Sequence, residues 1–442
     1  MTAAAPGTAP VATPATAPVT AAITVFGTGT GAPLAPDAEA VLAAAGLVVG
    51  GRRHLDAVRA WLPEAAEEVV LGPLAPALDA VERCVRKQAP VVVLASGDPG
   101  FFGIVRALAE RFGAAALDVR PGVSSVAAAF ARQGLTWDDA VVVSAHGREL
   151  RTAVNVCRAR PKVAVLTGPG AGPAELGAAL ARTAPSRVLV VASALGDPAR
   201  ERVERVSPAE AAERDWGTAV SVVLCLDAAR EVAPVRTIGG GAAVGVAQWG
   251  LDESEFAHRD SMITKFEVRA LALARLGPRL GDLVWDVGAG SGSVAVECAR
   301  LGAAVSAVEK TADGVERVRA NAVAHGVDVQ VVHGSAPAAL DQLDDPDAVF
   351  VGGGGRELPA VVTACARRAR RAVVVAMAAL DRVPAARAAL VEAGFACDGV
   401  LLQSSRLAPL PGDVTRLAAT NPVFLLWGVR PSTPGGSEGV AQ

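Results

Sequence analysis

Short apolar runs recur along this chain, and Ala-rich stretches of helical composition separate them. In the first half the runs are Ile23–Phe26, Val91–Ala95, Val141–Ser144, Val163–Thr167, Val188–Ala192 and Val220–Leu226. In the second half they are Leu283–Val287, Val305–Glu309, Val329–His333, Ala348–Val351, Ala372–Ala376 and Val423–Gly428. Unbroken runs of this length read as strands covered on both faces. The stretches between them supply helical covers, so the fold class is α/β. A chain of 442 residues exceeds one ordinary core. The segment VAPVRTIGGGAAVG, residues 232–245, breaks the rhythm with prolines and a glycine triplet, and the domain boundary is placed there. The expected order is a disordered tail over 1–22, a domain over 23–232, a linker over 233–250, a second domain over 251–430 and a tail over 431–442. A weaker break near Arg120–Gly122 divides the first domain into two lobes.

The net charge of −3 argues against a protein that holds nucleic acid by its phosphates, which needs a basic field. No apolar run is long enough for a membrane helix, and the Ala/Pro/Thr-rich start lacks the features of a secretory signal. The six cysteines are scattered without a C-x-x-C pair, which reads as buried thiols of a cytoplasmic protein and gives no metal site.

In the second domain, Leu283–Val287 leads into Gly288-Ala289-Gly290-Ser291-Gly292 and then a helix. Glycines let the backbone approach a ligand, and the helix start offers free N–H groups to an anionic end. Asp286 precedes the first glycine by two, placed to hold an amino group, and Glu309 ends the next strand, where a carboxylate can take ribose hydroxyls. This D-x-G-x-G-x-G spacing fits S-adenosylmethionine (SAM) better than the dinucleotide pattern; NAD is the competitor because it shares the ribose acid. Gly334–Pro337 and the run Gly352–Arg356 follow later strands and face the same pocket. Gly353 admits a bulky substrate, and Arg356 either pairs with a substrate carboxylate or is a solvated surface residue.

The first domain opens similarly, with Ile23–Phe26 leading into Gly27-Thr28-Gly29-Thr30-Gly31. GGRRHL (50–55), SGDPGFFG (96–103), PGVSS (121–125) and His146-Gly147-Arg148 follow in order. Ser124 and Ser125 open a helix as caps or ligand donors, and Asp98 either meets a ligand or caps a turn with Pro99. Arg52 and Arg53 beside a glycine-rich loop suit a polycarboxylate, or are solvated. His146 is a substrate contact or a satisfied core histidine.

These motifs carry two resemblances. Residues 23–228 resemble the CbiE branch of the tetrapyrrole methylase family. That family folds SAM into a cleft between two α/β lobes, which implies contacts from Gly27, Gly29, Gly31, Asp98, Ser124 and Ser125. The substrate side then falls to Arg52, Arg53, His146 and Arg148. The segment SMITKFEVR (261–269), WDVGAGSGSVAVE (285–297), Gly334–Pro337, the VGGGG loop and Asn421-Pro422-Val423 resemble the CbiT family of decarboxylating methyltransferases, over 246–429. That resemblance implies a Rossmann-like fold and SAM contacts from Thr264, Gly288, Ala289, Gly290, Ser291, Gly292, Glu309 and Ala336, beside the Asp286 already read from its place before the turn. This chain departs from the family at Ser335, where an Asp is usual, at Met377, and at Arg367–Arg371, which replaces a Pro-Gly-Gly turn.

The two units in this order imply methylation of the reduced tetrapyrrole precorrin-6B at meso carbons 5 and 15. The ring-C acetate is decarboxylated and precorrin-8 is formed, in cobalamin biosynthesis. Alignment and water exclusion are then the protein's main tasks, and no nucleophile–base arrangement is needed. The resemblance implies a cytoplasmic homo-oligomer with no membrane or nucleic-acid partner. The alternatives are a SAM-dependent methyltransferase acting on RNA or protein, and a chain in which one domain is a scaffold.

Overall fold

A computed structural model describes residues 22–31, 34, 37–218, 221–232, 249–259, 263–353 and 355–431. Residues 1–21 and 432–442 of the expected tails, residues 233–248 of the expected linker over 233–250, Ser261, Met262 and Gly354 lie outside the described residues. The chain forms two compact units. One holds the residues up to Ala128 together with Leu195–Ala199; the other holds Ala129–Ala194 and the residues from Arg200 onward.

The first unit is a parallel five-stranded sheet. Its strands are β1 (Ile23–Gly27), β2 (Leu47–Gly50), β3 (Glu67–Val70), β4 (Val91–Ala95) and β5 (Leu117–Arg120), in the order β3-β2-β4-β1-β5. Apolar β1, β2 and β4 are central and buried, and the more polar β3 and β5 take the edges.

The second unit carries two sheets. The first holds β6 (Val141–Ser144), β7 (Lys162–Leu166), β8 (Val188–Ser193), β9 (Arg202–Val206) and β10 (Ser221–Leu226), in the order β6-β7-β10-β8-β9. All six residues of central β10 are buried, and it runs antiparallel to both neighbours. The larger sheet holds β11 (Leu283–Val287), β12 (Ala304–Glu309), β13 (Gln330–His333), β14 (Ala348–Val351), β15 (Ala372–Met377) and β16 (Ala396–Leu402). The hairpin β17 (Ser405–Leu410) and β18 (Val414–Ala419) precedes its last strand, β19 (Val423–Val429). The order is β13-β12-β11-β14-β15-β19-β16, parallel from β13 to β15 and antiparallel at β19. This is the Rossmann-like arrangement, and the chain is α/β, with the β17–β18 hairpin forming a small antiparallel sheet of its own.

Alternation within these strands builds a core on each face. Leu283, Trp285, Val287, Val349, Val351, Val373 and Val375 join one cluster, and Val284, Val305, Phe350 and Val374 join the other. From β11 the chain moves outward through β12 and β13, then returns to β14 on the other side. The carboxyl ends of β11 and β14 therefore flank a topological switch point, where open α/β sheets bind ligands.

Arg406 on β17 ties the hairpin to the rest of its unit, donating to Glu253 (2.8 Å) and Glu267 (2.7 Å). The Arg406 hydrogen bonds hold Glu253 down at about 2, against burial, which acts the other way. A depressed carboxylate contributes stability above its unfolded value and loses it as pH falls through the folded one. The clamp should therefore persist through pH 4 and release near pH 2. In an NMR titration the Glu253 carboxyl carbon should have its midpoint near 2, and Arg406→Met should move it up toward the ordinary carboxylate range.

Candidate functional site

In the first unit, the loops after β1, β4 and β5 meet backbone to backbone. Gly29 N–H donates to Gly97 O (3.2 Å), and Gly97 N–H returns a bond to Gly29 O (2.9 Å). A Cβ on Gly27 would stand 2.4 Å from Gly122 N and 2.6 Å from Gly97 O, so only glycine fits there. Gly31 closes the turn with its N–H on Thr28 O (3.2 Å). The motifs GTGTG, SGDPG and PGVSS are thus one structure. Ser124 caps the helix Ser125–Gln133, its Oγ accepting from Ala127 N–H (3.1 Å), and Ser125 begins that helix. Asp98 accepts from Gly100 N–H (2.8 Å), which is the turn-capping geometry.

Arg52 and Arg53 are exposed. Arg53 is nonetheless held, with Nε donating to His54 Nε2 (3.1 Å) and Nη2 to Ser96 Oγ (2.9 Å). His54 Nδ1 is buried without a partner. Burial, and then the Arg53 charge, push the His54 pKa down, so its ring stays neutral and accepts from Arg53. His54 and Ser96 were not among the residues singled out from sequence, although both sit inside its motifs. His146 and Arg148 lie in the second unit, after β6, and both are exposed. That excludes the core reading of His146.

In the second unit the loop after β11 winds against the end of β12. Gly288 and Ala289 N–H both donate to Val308 O (2.9 and 3.1 Å). Gly290 N–H donates to Glu309 Oε2 (2.9 Å), and Glu309 Oε1 takes Thr311 N–H and Oγ1. Burial alone would raise the Glu309 pKa, but these N–H and O–H donors outweigh it and the net shift is downward. Gly292, in the left-handed region at φ 72°, caps the helix Ser293–Arg300. The carbonyl of buried Ser291 accepts from Asn321, whose side-chain oxygen takes Ala257 N–H (2.7 Å). A lone buried Asn in an Ala/Val-rich helix was the available sign of this pin.

Asp286 is 1% exposed and accepts from Ala295 N–H (2.9 Å). Burial raises its pKa to about 7, with Glu309 adding in the same direction, and among the described residues no cationic side chain offsets it. A buried carboxyl with no cation beside an open glycine turn fits an ammonium-bearing ligand. Open space borders Gly290 and Gly353, where an added Cβ would meet nothing within 4 Å. Gly353 lies against Gly288, so the loops after β11 and β14 touch across the switch point. Gly334 N–H bonds Glu309 O (2.9 Å), which brings half-buried Ala336 to the same edge. Arg356 is exposed.

Thr264 reaches this unit through a buried node. Arg269, 0% exposed, donates to Glu297 (2.9 Å), to Thr264 O and to Leu251 O. Glu297 also accepts from Gly250 and Leu251 N–H (2.9 and 2.7 Å).

Two family models match the chain. Residues 22–212 match Tetrapyrrole (Corrin/Porphyrin) Methylases, and residues 254–429 match a Precorrin methyltransferase domain. A precorrin-6Y C(5,15)-methyltransferase [decarboxylating] from Sinorhizobium sp. is 39% identical over 341 residues, 76% of this chain and 79% of that protein. A Pyrobaculum calidifontis relative, named for cobalt-precorrin-6B C(15)-methyl transfer with decarboxylation, is 36% identical over 184 residues, 40% of this chain and 94% of its own. Among solved structures, the C-terminal domain of the Rhodobacter capsulatus precorrin-6Y C5,15-methyltransferase is 34% identical. It covers 41% of this chain and 97% of its own, with a TM-score of 0.37.

Proposed function

The chain belongs to the family of decarboxylating precorrin-6Y C(5,15)-methyltransferases, and from that premise we propose that each half binds its own SAM and performs one methyl transfer on a shared tetrapyrrole. The protein is a decarboxylating methyltransferase of cobalamin biosynthesis. Its substrate on this reading is precorrin-6B and its product precorrin-8. The half over 251–430 methylates carbon 15 and releases carbon dioxide from the ring-C acetate. The similarity to a C(15)-specific relative of about that half's size supports the division. The half over 23–232 methylates carbon 5.

SAM supplies a methyl group already made electrophilic by its sulfonium. The residues then have to bind, orient and exclude water. In the C-terminal half, Asp286 takes the ligand's ammonium and Glu309 its ribose hydroxyls. The glycine turn after β11, its N–H groups at Gly288, Ala289 and Gly290 already engaged by Val308 O and Glu309, lies along the ligand's amino-acid end, and Thr264 and Ala336 border it. In the N-terminal half the cradle is the backbone of Gly27, Gly29 and Gly31, with Asp98, Ser124 and Ser125 around it. Arg52, Arg53, His146, Arg148, Gly353 and Arg356 serve the polycarboxylate substrate, and Arg53 is the best prepared because His54 and Ser96 fix it. We place the enzyme in the cytoplasm as a homo-oligomer.

The observation that carries the reading is the cation-less buried carboxyl of Asp286 beside the open turn. Mass spectrometry of precorrin-6B incubated with protein and SAM should show two methyl groups gained and one carbon dioxide lost. An unchanged substrate in the presence of intact SAM binding would sink the tetrapyrrole assignment.

The same carboxyl sets a pH dependence. An acid whose folded value is raised is ionised only above it, and the ammonium needs the ionised form. SAM affinity at the C-terminal site should therefore fall as pH drops below about 7. A calorimetric titration series on Asp286→Asn should show weak binding with that acid-side slope gone.

A further inference from the structure

The helix Leu150–Ala159 carries Arg151, Asn155 and Arg158 at spacings of four and three, one stripe of a helix. Its apolar residues Ala153, Val154, Val156 and Cys157 pack into the core of their own sheet, β6 to β10. A polar stripe opposite an apolar one is ordinarily the solvated face of a helix. In the structure Asn155 is 2% and Arg158 6% exposed, because the stripe lies on the Rossmann-like sheet.

The contacts are specific. Arg151 grips the Asp347 carboxylate with both terminal nitrogens (3.0 and 2.7 Å) and adds Asp345 O (2.9 Å). Asn155 donates to Gly281 O (2.9 Å). Arg158 donates to Gln330 (2.9 Å) and Ser306 (3.1 Å). Beyond the helix, Arg187 and Arg230 both reach Asp328 (2.8 Å each). Arginine offers planar, bidentate donors, which suits a buried polar interface of this kind.

All these acceptors sit at the amino ends of strands. Gly281 precedes β11, Ser306 lies in the first half of β12, Asp328 precedes β13 and Gln330 begins it, and Asp345 and Asp347 precede β14. The SAM residues proposed for the C-terminal half, Thr264 aside, sit at the carboxyl ends of the same strands. Strands of this length put roughly 15 Å between the two edges.

We propose that the amino edge of this sheet is a self-sufficient docking surface for the arginine-striped lobe, one that holds the two halves together without the peptide connecting them and takes no part in either methyl transfer. Mutual recognition rests on the bidentate Arg151–Asp347 pair, the Asn155 bond and the shared Asp328, with Asn155, Arg158 and Arg187 buried in the contact. The inference stands apart from the substrate assignment, since it concerns assembly alone.

The test uses the full-length protein with a protease site placed between residues 233 and 248. After cleavage the halves should co-elute on size exclusion at physiological salt. In Arg151→Glu/Asn155→Asp, a carboxylate faces Asp347 and another faces a carbonyl, and the dissociation constant between the cleaved halves should rise at least about thirtyfold. Both positions lie on the outward face of the lobe, so its own core is untouched, and circular dichroism of the separated halves checks this. The uncleaved variant should keep both SAM affinities within about twofold of the parent. Separation of the parent halves on cleavage would overturn the proposal, as would unchanged co-elution of the variant. A selective loss of SAM affinity in the folded, uncleaved variant would overturn its second part.

Discussion

Gly27→Val is expected to give an enzyme that adds one methyl group instead of two while still releasing carbon dioxide. The first atom beyond Cα already fails to fit. A Cβ at position 27 would lie 2.4 Å from Gly122 N, 2.6 Å from Gly97 O and 2.7 Å from Pro99 Cδ. Two of those neighbours are backbone, so no side chain can swing aside. The loops after β1, β4 and β5 would have to part, at a cost of about 1–3 kcal/mol or more for overpacking. Those loops are the cradle proposed for the N-terminal SAM. The C-terminal site is built in the other compact unit, so its chemistry should continue. Gly72→Ala is the control, because a Cβ there meets nothing within 4 Å and its activity should match the parent. Mass spectrometry of the tetrapyrrole product decides the matter. Two methyl groups from Gly27→Val would mean that this loop is not the cradle. Loss of decarboxylation as well would mean that the two sites are not independent.

The largest loss of stability is expected at the buried Arg269–Glu297 pair. Arg269→Met leaves a carboxylate 1% exposed with only Arg300, 3.6 Å away, as counter-charge; breaking a buried pair costs up to about 3–5 kcal/mol, and Arg300 offsets part of that. Chemical denaturation of the C-terminal half should show that loss as a lower midpoint. Replacing both partners, as in Arg269→Met/Glu297→Leu, removes the stranded charge and should recover much of the stability. The double variant still lacks the bonds to Thr264 O, Leu251 O and the Gly250 and Leu251 amides. Recovered stability with weakened C-terminal SAM binding is therefore the expected pattern. Should SAM affinity recover together with stability, the node would have no role in placing Thr264.

What could be read from the sequence follows burial. Val91–Ala95 and Ala348–Val351 were legible to the residue because both faces are covered and every position is apolar, and Leu283–Val287 was legible too because only Asp286 interrupts an apolar run. β3, β9, β16 and the β17–β18 hairpin were not, because exposed or alternating positions tolerate Glu, Arg, Asp and Ser. At the sites, the glycine loops were legible because backbone crowding permits nothing larger. His54 was not, because its role is to hold Arg53, and a supporting residue leaves no spacing rule of its own. The role of the stripe Arg151-Asn155-Arg158 was not legible for a third reason. Polar residues at helical spacing look the same whether water or another part of the chain covers them.

The parallel part of the larger sheet has one further consequence. In such a sheet each strand is entered through one loop and left through another, and the two loops lie at opposite edges. Here the exits carry the residues proposed for SAM, and the entries carry the residues that receive the arginine stripe. Insertions and replacements at the exits can accumulate under selection for substrate, and those at the entries under selection for partnership, with little interference between the two. The chain thus carries two separately heritable surfaces on one set of strands, and a lineage could change what it methylates without changing what it is joined to.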